Sequence, residues 1–430
     1  MVAQLGMGGD TLQLSISDAV ERALQANPAL LAERAVADAA GGMTQQATRA
    51  FLPSITLDLG GVRTTDPVGV FALKLRQDNF QPGDFEIGAL NNPDPYGGWT
   101  SAAVLEQPIL VPEGLYGYSA AKRAADAQSA VARRAAGATV FFVSRTYWDA
   151  QLAARRVEAL DTAIAAARSH ADQAEAMHEQ GLVTALDARL ARLRASGLEV
   201  QRLARAAQAE NALASLRTLL ALPHTLDLLL TDSLHESRPA GCEAGDACSL
   251  EHRADLEAYR LGAEAAGLGV KRAWASQLPS IAAFGSVAYH GESSPWSEGS
   301  GNWTVGIGLR WPIFHALSGV GAVNSAKAQH RAAMARREAA ERQASLEVQE
   351  ASRMLEAASE GVTVAGSAAA EAAQAVDHAR LRYRTGSAPI TELLDVEAAA
   401  TAARLNLLSA RRDLFVARAA LEFAYGAYDQ

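Results

Sequence analysis

The spacing of hydrophobic and polar positions divides the chain into very long helical segments joined by short alternating ones. Residues 115–180 and 322–385 contain no proline and predict two long helices. At a rise of 1.5 Å per residue the first would span about 99 Å, which is more than a globular core needs. Each is followed by a predicted return helix, at 184–221 and at 389–425, and residues 17–50 predict one N-terminal helix.

The return helix of the second half carries a heptad of aliphatic residues with alanines three positions on. This period is typical of a coiled-coil seam, and its alanines allow helices to approach closely. The seam consists of Leu393, Ala400, Leu407, Leu414 and Leu421, followed by Val396, Ala403, Ala410, Ala417 and Ala424.

Four shorter segments predict strands, at about 53–62, 99–110, 279–289 and 303–313. From Trp303 to Trp311 the odd positions are large and apolar and the even positions are small or polar. This alternation favours a membrane barrel strand, with lipid on one face and a lumen on the other, although an ordinary half-exposed sheet also alternates. Four strands cannot close a barrel and an open edge cannot lie in lipid, whereas three chains would supply twelve strands.

The order of these elements repeats within the chain. The string FLPSI at 51–55 returns as QLPSI at 277–281, an offset of 226, and QPI at 107–109 returns as WPI at 311–313, an offset of 204. The offset falls because the first copy has a longer loop, at 64–98 against about 290–302 in the second copy. The sequence therefore predicts a tandem repeat.

We interpret the chain as two structural repeats with a linker between them. The first repeat covers 1–226, the linker covers 227–250 and the second repeat covers 251–430. Each repeat has the order helix, strand, loop, strand, very long helix, tight turn and helix. The fold class predicted is therefore mainly α with membrane β.

Composition and charge narrow the function. Apolar residues make up 49% of the 430 residues and charged residues 20%, so the chain is neither disordered nor a conventional helical membrane protein. The formal charge of −9 and the lack of a basic cluster argue against a nucleic-acid partner. Residues 1–10 have no basic residue and no apolar core, so they do not form a signal peptide as they stand, and we expect a cytosolic chain or one whose signal was removed.

The two cysteines leave several alternatives open. Cys242 and Cys248 could close a small disulfide in an oxidising compartment or remain free thiols. With His235 and His252 they could also gather a zinc ion, but the spacing is irregular.

Enzyme-like patterns fail on inspection. Gly319 and Gly321 follow a strand, but the third glycine of a dinucleotide-binding motif is absent. His178 and His235 each precede a glutamate and lack the second histidine of a zinc protease. We therefore predict no catalytic site, no cofactor, no resident metal and no enzyme activity.

Several motifs together resemble the TolC family of outer-membrane efflux proteins. SDAV at 17–20, Asn27-Pro28 and LPS at 52–54 resemble the opening helix and the start of the first strand in that family. GLVT at 181–184 and YRTG at 383–386 resemble its two helical turns. The match follows the whole chain in the correct order. Many relatives carry an N-terminal lipid-bearing cysteine, and this sequence has none.

The resemblance implies an assembly and a location. It implies a homotrimer whose twelve-stranded β-barrel lies in the outer membrane of a Gram-negative bacterium, in contact with its lipid, and continues as an α-helical barrel through the periplasm. The linker at 227–250 would contribute to an equatorial region. The partners implied are a periplasmic adaptor protein and an inner-membrane pump.

The turns are the candidate functional region. Glycine suits the left-handed conformation that ends a helix, and we expect Gly181, Leu182, Thr184 and Gly386 to lie together at the tip where an adaptor docks. Thr184 and Asp187 predict a capping box, and Pro389 suits a first helical position.

The resemblance also gives roles to four side chains near the turns. Glu392 and Asp395 fall where relatives place acidic rings that narrow the periplasmic entrance, although acids at a helix start also serve as caps. Tyr383 and Asp187 fall where relatives latch the closed entrance. The relatives' arginine two residues after the second glycine is Ala388 here, so part of that latch is missing.

The function predicted is a passive exit duct of a tripartite efflux pump for small toxic molecules. A type I protein secretion conduit is the alternative within the same fold. A coiled-coil scaffold or adhesin would explain the heptads, but it has no use for strands that alternate between tryptophans.

Overall fold

A computed structural model describes residues 11–234, 250–314 and 316–429, and the chain separates into two compact units. Both units draw segments from each half of the sequence. The helical unit comprises Met1–Ala37, Gln128–Ala258 and Glu338–Gln430, and the strand-bearing unit comprises Asp38–Ala127 and Tyr259–Arg337.

The described helices and strands follow the predicted order along the chain, with additions. The helices are α1 (Ile16–Ala26), α2 (Pro28–Ala47), α3 (Pro67–Arg76), α4 (Ile87–Asn91), α5 (Pro112–Glu179), α6 (Ala185–Leu219), α7 (Ala254–Ala275), α8 (Ser318–Arg384) and α9 (Ile390–Tyr425). The strands are β1 (Leu12–Leu14), β2 (Ser54–Thr64), β3 (Tyr96–Leu110), β4 (Leu228–Leu230), β5 (Ser280–Gly291) and β6 (Gly299–Arg310).

The prediction of a single N-terminal helix over 17–50 is wrong, because the helix breaks at Asn27. Pro28 has no backbone N–H to continue the ladder, and the Asn27 Oδ1 atom instead accepts hydrogen bonds from the N–H groups of Ala29 (3.0 Å) and Leu30 (3.1 Å). The Asn27 amide also donates to the carbonyl of Leu219 at 2.9 Å. Asn27 therefore both starts α2 and fixes it against the end of α6.

The segment 64–98, predicted as a loop, contains two helices. Asp66 caps α3 by accepting a hydrogen bond from the N–H of Gly69 at 2.6 Å. Phe71 and Phe80 pack edge to face with ring centroids 4.8 Å apart, and Lys74 pairs with Asp84 at 2.6 Å. This segment therefore has a small apolar centre of its own.

The strand-bearing unit holds a four-stranded antiparallel sheet in the order β2-β3-β5-β6. Over nearly the whole sheet an odd-numbered residue stands opposite an odd-numbered one, as in Ile55 with Leu105 and Val287 with Trp303. Odd-numbered residues of all four strands therefore share one face. That face is largely apolar, and its exposed aliphatic and aromatic residues include Ile55, Leu57, Leu59, Leu105, Val287, Trp303, Val305, Ile307 and Leu309.

The even-numbered face is more polar and includes Asp58, Glu106 and Arg310. Phe284 lies opposite Gly306 on this face, and a Cβ atom at Gly306 would come within 2.5 Å of the phenylalanine ring. Glycine is required there because the ring covers the neighbouring backbone. The sheet thus has the amphipathic character that the alternation predicts.

The core of the helical unit is organised around Tyr147 and Asp232. The Tyr147 ring is fully buried, and its hydroxyl lies 2.7 Å from Asp232 Oδ2 and 2.9 Å from the carbonyl of Leu14. The same carboxylate oxygen accepts a hydrogen bond from the N–H of Ile16 at 2.7 Å. Burial, followed by the hydrogen bond to Asp232, raises the pKa of Tyr147 well above its ordinary value. These bonds fix α5 against the two-stranded parallel sheet of β1 and β4.

A second polar anchor holds the end of the chain. The Asp429 carboxylate is fully buried, accepts a hydrogen bond from the N–H of Ala254 at 3.0 Å and pairs with Arg134 at 3.2 Å. The Arg134 guanidinium lies 3.6 Å from the Phe423 ring centroid and donates to the Phe423 carbonyl at 2.8 Å. Burial raises the pKa of Asp429 despite the charge of Arg134. The C-terminal segment is thereby fixed to α5 and α7.

Among the described helices, none is sufficiently long and apolar to span a bilayer.

Cys242, Cys248 and His235 lie outside the described residues, so the disulfide and zinc alternatives remain predictions. Within 11–234, 250–314 and 316–429 no group of three or more His, Cys, Asp or Glu residues is arranged to hold a metal ion.

Candidate functional site: the two helical turns

The turns after α5 and α8 have the same backbone geometry. Gly181 and Gly386 both have a φ of +72°, in the left-handed region where a residue with a side chain would have a strained backbone. Gly181 N–H donates to the carbonyl of His178 (2.9 Å) and Gly386 N–H to that of Tyr383 (3.0 Å), while the next residue in each turn bonds five positions back. This pattern ends both helices with a glycine cap, as the spacing predicts.

The first return helix starts with the predicted capping box. Asp187 Oδ2 accepts hydrogen bonds from the N–H and the hydroxyl of Thr184, each at 2.9 Å, and the N–H of Asp187 donates to the Thr184 hydroxyl at 3.3 Å. The Asp187 carboxylate is therefore engaged at the start of α6.

The second return helix starts differently from the prediction. Pro389 is the residue before the helix and not its first residue, because its ψ of 159° is extended. Glu392 therefore falls in the first turn of α9, where it pairs with Arg382 at the end of α8. Asp395, one turn further, is exposed and has no ion pair with the described residues.

The side chains below the turns form one apolar cluster that joins both helical hairpins. Residues from α5, α6, α8 and α9 all contribute, so both turns lie at the same end of the helical unit. The buried members are Ala171, Ala174, Ala188, Ala191, Ala379, Tyr383, Ile390, Leu393 and Leu394.

Tyr383 is the polar exception in this cluster. The side chain is buried, and its hydroxyl has no hydrogen-bond partner among the described residues. Burial, followed by the nearby charge of Asp187, raises the pKa of Tyr383. The structure thus brings Tyr383 and Asp187 near each other without a hydrogen bond between them.

The outer surface of the turns is exposed. Leu182 is 66% exposed and Leu186 is 62% exposed, and Gly181, Thr184 and Gly386 are exposed as well. Two large leucines open to solvent beside a turn leave apolar area uncovered in the single chain.

Comparison with known proteins identifies the chain. The outer membrane efflux protein family matches residues 19–222 and 248–427, which is most of the sequence. The chain belongs to the outer membrane efflux protein family. The predicted family is therefore confirmed, and no curated protein matches the chain significantly.

Solved outer membrane proteins share the fold at low sequence identity. VceC from Vibrio cholerae is 20% identical with a TM-score of 0.77, over 96% of this chain and 96% of that one. CmeC from Campylobacter jejuni is 16% identical with a TM-score of 0.79, over 96% and 85%. The open state of MtrE from Neisseria gonorrhoeae is 20% identical with a TM-score of 0.77, over 96% and 88%.

Membership in the outer membrane efflux protein family confirms the general function and location. The chain is an efflux channel of the outer membrane with a helical portion in the periplasm, and the family is one of passive channels and not of enzymes. The predicted fold class, mainly α with membrane β, agrees with the family and the solved channels.

One cluster of three charged or titratable residues in this efflux protein was not predicted from the sequence. Nε2 of His170 on α5 lies 2.6 Å from Oε1 of Glu397 on α9, and Arg380 on α8 reaches the same oxygen at 3.1 Å. The three residues are far apart in sequence and belong to no motif. They connect the first helical hairpin to the second just below the turns.

Burial raises the pKa of Glu397, but the hydrogen bonds and charges of His170 and Arg380 outweigh it, so its pKa lies below the ordinary value of 4.5. The carboxylate borders a cavity of about 350 Å³ between the two hairpins. All four helices line the cavity, α5, α8 and α9 with small alanines, and its polar lining includes Arg194, Asp377 and Arg404. The contacts of His170 and Arg380 with Glu397 therefore join the two hairpins where there is little apolar packing.

We predict that Glu397→Gln lowers the stability of the helical unit by about 1.5–3 kcal/mol per chain at pH 7, because a charged hydrogen-bond acceptor is lost. A depressed pKa contributes stability above the ordinary value of 4.5 and loses it as pH falls through the lowered pKa. The difference from wild type should therefore shrink below about pH 4.5 in thermal unfolding of the purified protein.

Glu371→Gln, at an exposed position on α8, is the matched control and should show no such pH dependence. A deficit of Glu397→Gln that stays constant from pH 7 to pH 3 would contradict the electrostatic link.

Proposed function

We propose that three copies of this chain form the exit duct of a tripartite efflux pump, which passively conducts small toxic molecules from the periplasm to the outside. The observation that carries the proposal is the open four-stranded sheet with one apolar face. Family membership supports the efflux function, and the trimer, the class of cargo and the partners are the proposed part.

The two outer strands supply the argument for three copies. Within the described residues β2 pairs only with β3 and β6 pairs only with β5, so each leaves one row of N–H and C=O groups unpaired. An unpaired backbone group in hydrocarbon costs several kcal/mol. Pairing β6 of one copy with β2 of the next removes every edge, and twelve strands make a barrel wide enough for a lumen.

We expect the particle extracted in mild detergent to have the protein mass of three chains. Expressed with a cognate adaptor and pump in an efflux-deficient strain, it should lower susceptibility to small toxic compounds and should not restore export of a polypeptide. Export of the polypeptide alone would favour the secretion alternative, and a stable monomer in bilayers would overturn the barrel.

The exposed turns are the proposed docking surface for a periplasmic adaptor. Gly181, Thr184 and Gly386 lie at the same end of the helical unit as the uncovered Leu182 and Leu186. An adaptor that covers these leucines would bury apolar area on binding. The adaptor would in turn connect the duct to an inner-membrane pump.

Glu392 and Asp395 are the proposed acidic ring at the entrance. Threefold symmetry would bring six carboxylates together, and a ring of like charges attracts cations. Asp395 is exposed and unpaired within the described residues, whereas Arg382 partly neutralises the charge of Glu392.

We predict that replacing Glu392 and Asp395 together by alanine reduces cation preference and block by multivalent cations in single-channel recordings. The control removes two exposed acids elsewhere on α8, Glu356→Ala with Glu371→Ala, and should leave both properties unchanged. If the reversal potential under a salt gradient does not move in the entrance variant, these acids act only at the start of α9.

Tyr383 and Asp187 are the proposed latch of the closed entrance. Asp187 already serves the capping box, and the Tyr383 hydroxyl has no hydrogen-bond partner in the part of the chain that the structure describes. A latch role and a capping role therefore predict different phenotypes for neighbouring substitutions.

We expect Tyr383→Phe to raise resting conductance, because the proposed latch acts through the hydroxyl. It should not lower thermal stability, because that buried hydroxyl has no partner among the described residues. Asp187→Asn should raise conductance and also lower stability by about 1 kcal/mol, whereas Thr184→Ala should lower stability alone. Tyr259→Phe, at an exposed tyrosine, is the control. Equal conductance of Asp187→Asn and Thr184→Ala would assign Asp187 to the cap.

A further inference from the structure

The helical segments next to the strands have a charge opposite to that of the whole chain. Residues 38–53, 111–127, 259–279 and 311–337, here named the collar, contain ten basic and four acidic residues, a net charge of +6 in a chain of −9. All four segments belong to the strand-bearing unit. The basic residues are therefore concentrated beside the sheet.

Three of the four acids of the collar are already paired within it. Glu113 pairs with Arg272 at 2.9 Å, and Glu264 pairs with Arg260 at 2.5 Å and with Arg123 at 3.4 Å, while Asp126 lies 3.8 Å from Arg123. The exposed basic residues left without an ion pair among the described residues are Arg49, Lys122, Lys271, Lys327, Arg331 and Arg336.

Large apolar residues accompany these lysines on the same helix faces. Lys122 follows Leu115 by seven residues and Lys327 follows Val320 by seven, which is about two turns of helix. Lys271 precedes Trp274 by one turn, and Trp274, Leu115 and Val320 are 55%, 49% and 57% exposed. On each face the apolar residue lies nearer the strand and the lysine further from it.

The collar includes a surface that neighbouring copies would leave open. Lys122 lies on α5, which follows β3, and Lys271 lies on α7, which precedes β5, and these are the two inner strands of the sheet. Copies that pair through β2 and β6 do not cover them. This step rests on the proposed trimer.

We propose that the collar binds the headgroups of anionic phospholipids in the periplasmic leaflet of the outer membrane. Lys122 is ten residues into α5, about 15 Å from its start, and a lysine stem extends toward the interface while its neighbouring apolar residue meets the acyl chains. From the strands outward, apolar residues come first and basic residues second, which matches the change from acyl chains to headgroups at a bilayer interface. Each basic group near an anionic surface strengthens binding. A water-filled lumen would not favour exposed Trp274 and Leu115 beside these lysines.

The test is native mass spectrometry of the full-length oligomer titrated with phosphatidylglycerol or phosphatidylcholine. Wild type should retain phosphatidylglycerol preferentially, and Lys122→Gln, Lys271→Gln and Lys327→Gln combined should weaken that retention by at least about five-fold at low salt, since one charge near the surface corresponds to about that factor. The control combines Arg189→Gln, Arg353→Gln and Arg384→Gln, which removes three exposed charges from the helical unit and should keep the preference.

Equal retention of both lipids by wild type, or an equal loss in the control variant, would overturn the lipid site. A stronger preference for lipopolysaccharide, or loss of adaptor binding with lipid retention intact, would also overturn it by assigning the collar to the outer leaflet or to a protein partner. The same spectra give the oligomer mass, so a failed trimer is distinguished from a failed lipid site.

Discussion

The requirement that no backbone group remain unpaired in hydrocarbon controls this molecule. An isolated four-stranded sheet has two open edges, at β2 and β6, and an apolar face that water does not favour. No described residue pairs with the outer edges of β2 and β6 or covers the apolar face. In the proposed trimer, folding of the sheet and association of copies are coupled, and the stability of the sheet depends on the concentration of the protomer.

The helical unit solves a different problem, since long alanine-rich helices bury little apolar area per residue. Close approach of small residues allows many parallel arrangements of nearly equal energy, and specific polar contacts select one of them. Tyr147 with Asp232 fixes α5 to the two-stranded sheet, and Asp429 with Arg134 fixes the end of the chain. His170 with Glu397 connects the hairpins beside the cavity of about 350 Å³, where few side chains pack together. These pairs specify helix position more than they add to total stability.

Local signals predicted most of the fold, and nonlocal contacts explain what they missed. Alternation from Trp303 onward predicted the face of β6, and Gly181 with Thr184 and Asp187 predicted a helix end and a capping box, because each signal acts within a few residues. The break at Asn27 was missed although Pro28 stands beside it. The hydrogen bond from the Asn27 side-chain amide to the Leu219 carbonyl, which supports the break, spans 192 residues. The His170–Glu397 pair spans 227 residues and carries no local pattern.

Tyr383 is a buried polar residue whose hydroxyl the packing of the described residues does not explain. A buried hydroxyl without a partner costs about 1–3 kcal/mol, so phenylalanine would suit this position better if packing within one protomer were its only role. Asp187, the nearby acid, already accepts two hydrogen bonds from Thr184. No described residue pairs with the hydroxyl. The hydroxyl oxygen is itself buried within the single chain, so the packing gives no reason to prefer tyrosine over phenylalanine here, which is the pattern expected of the proposed latch.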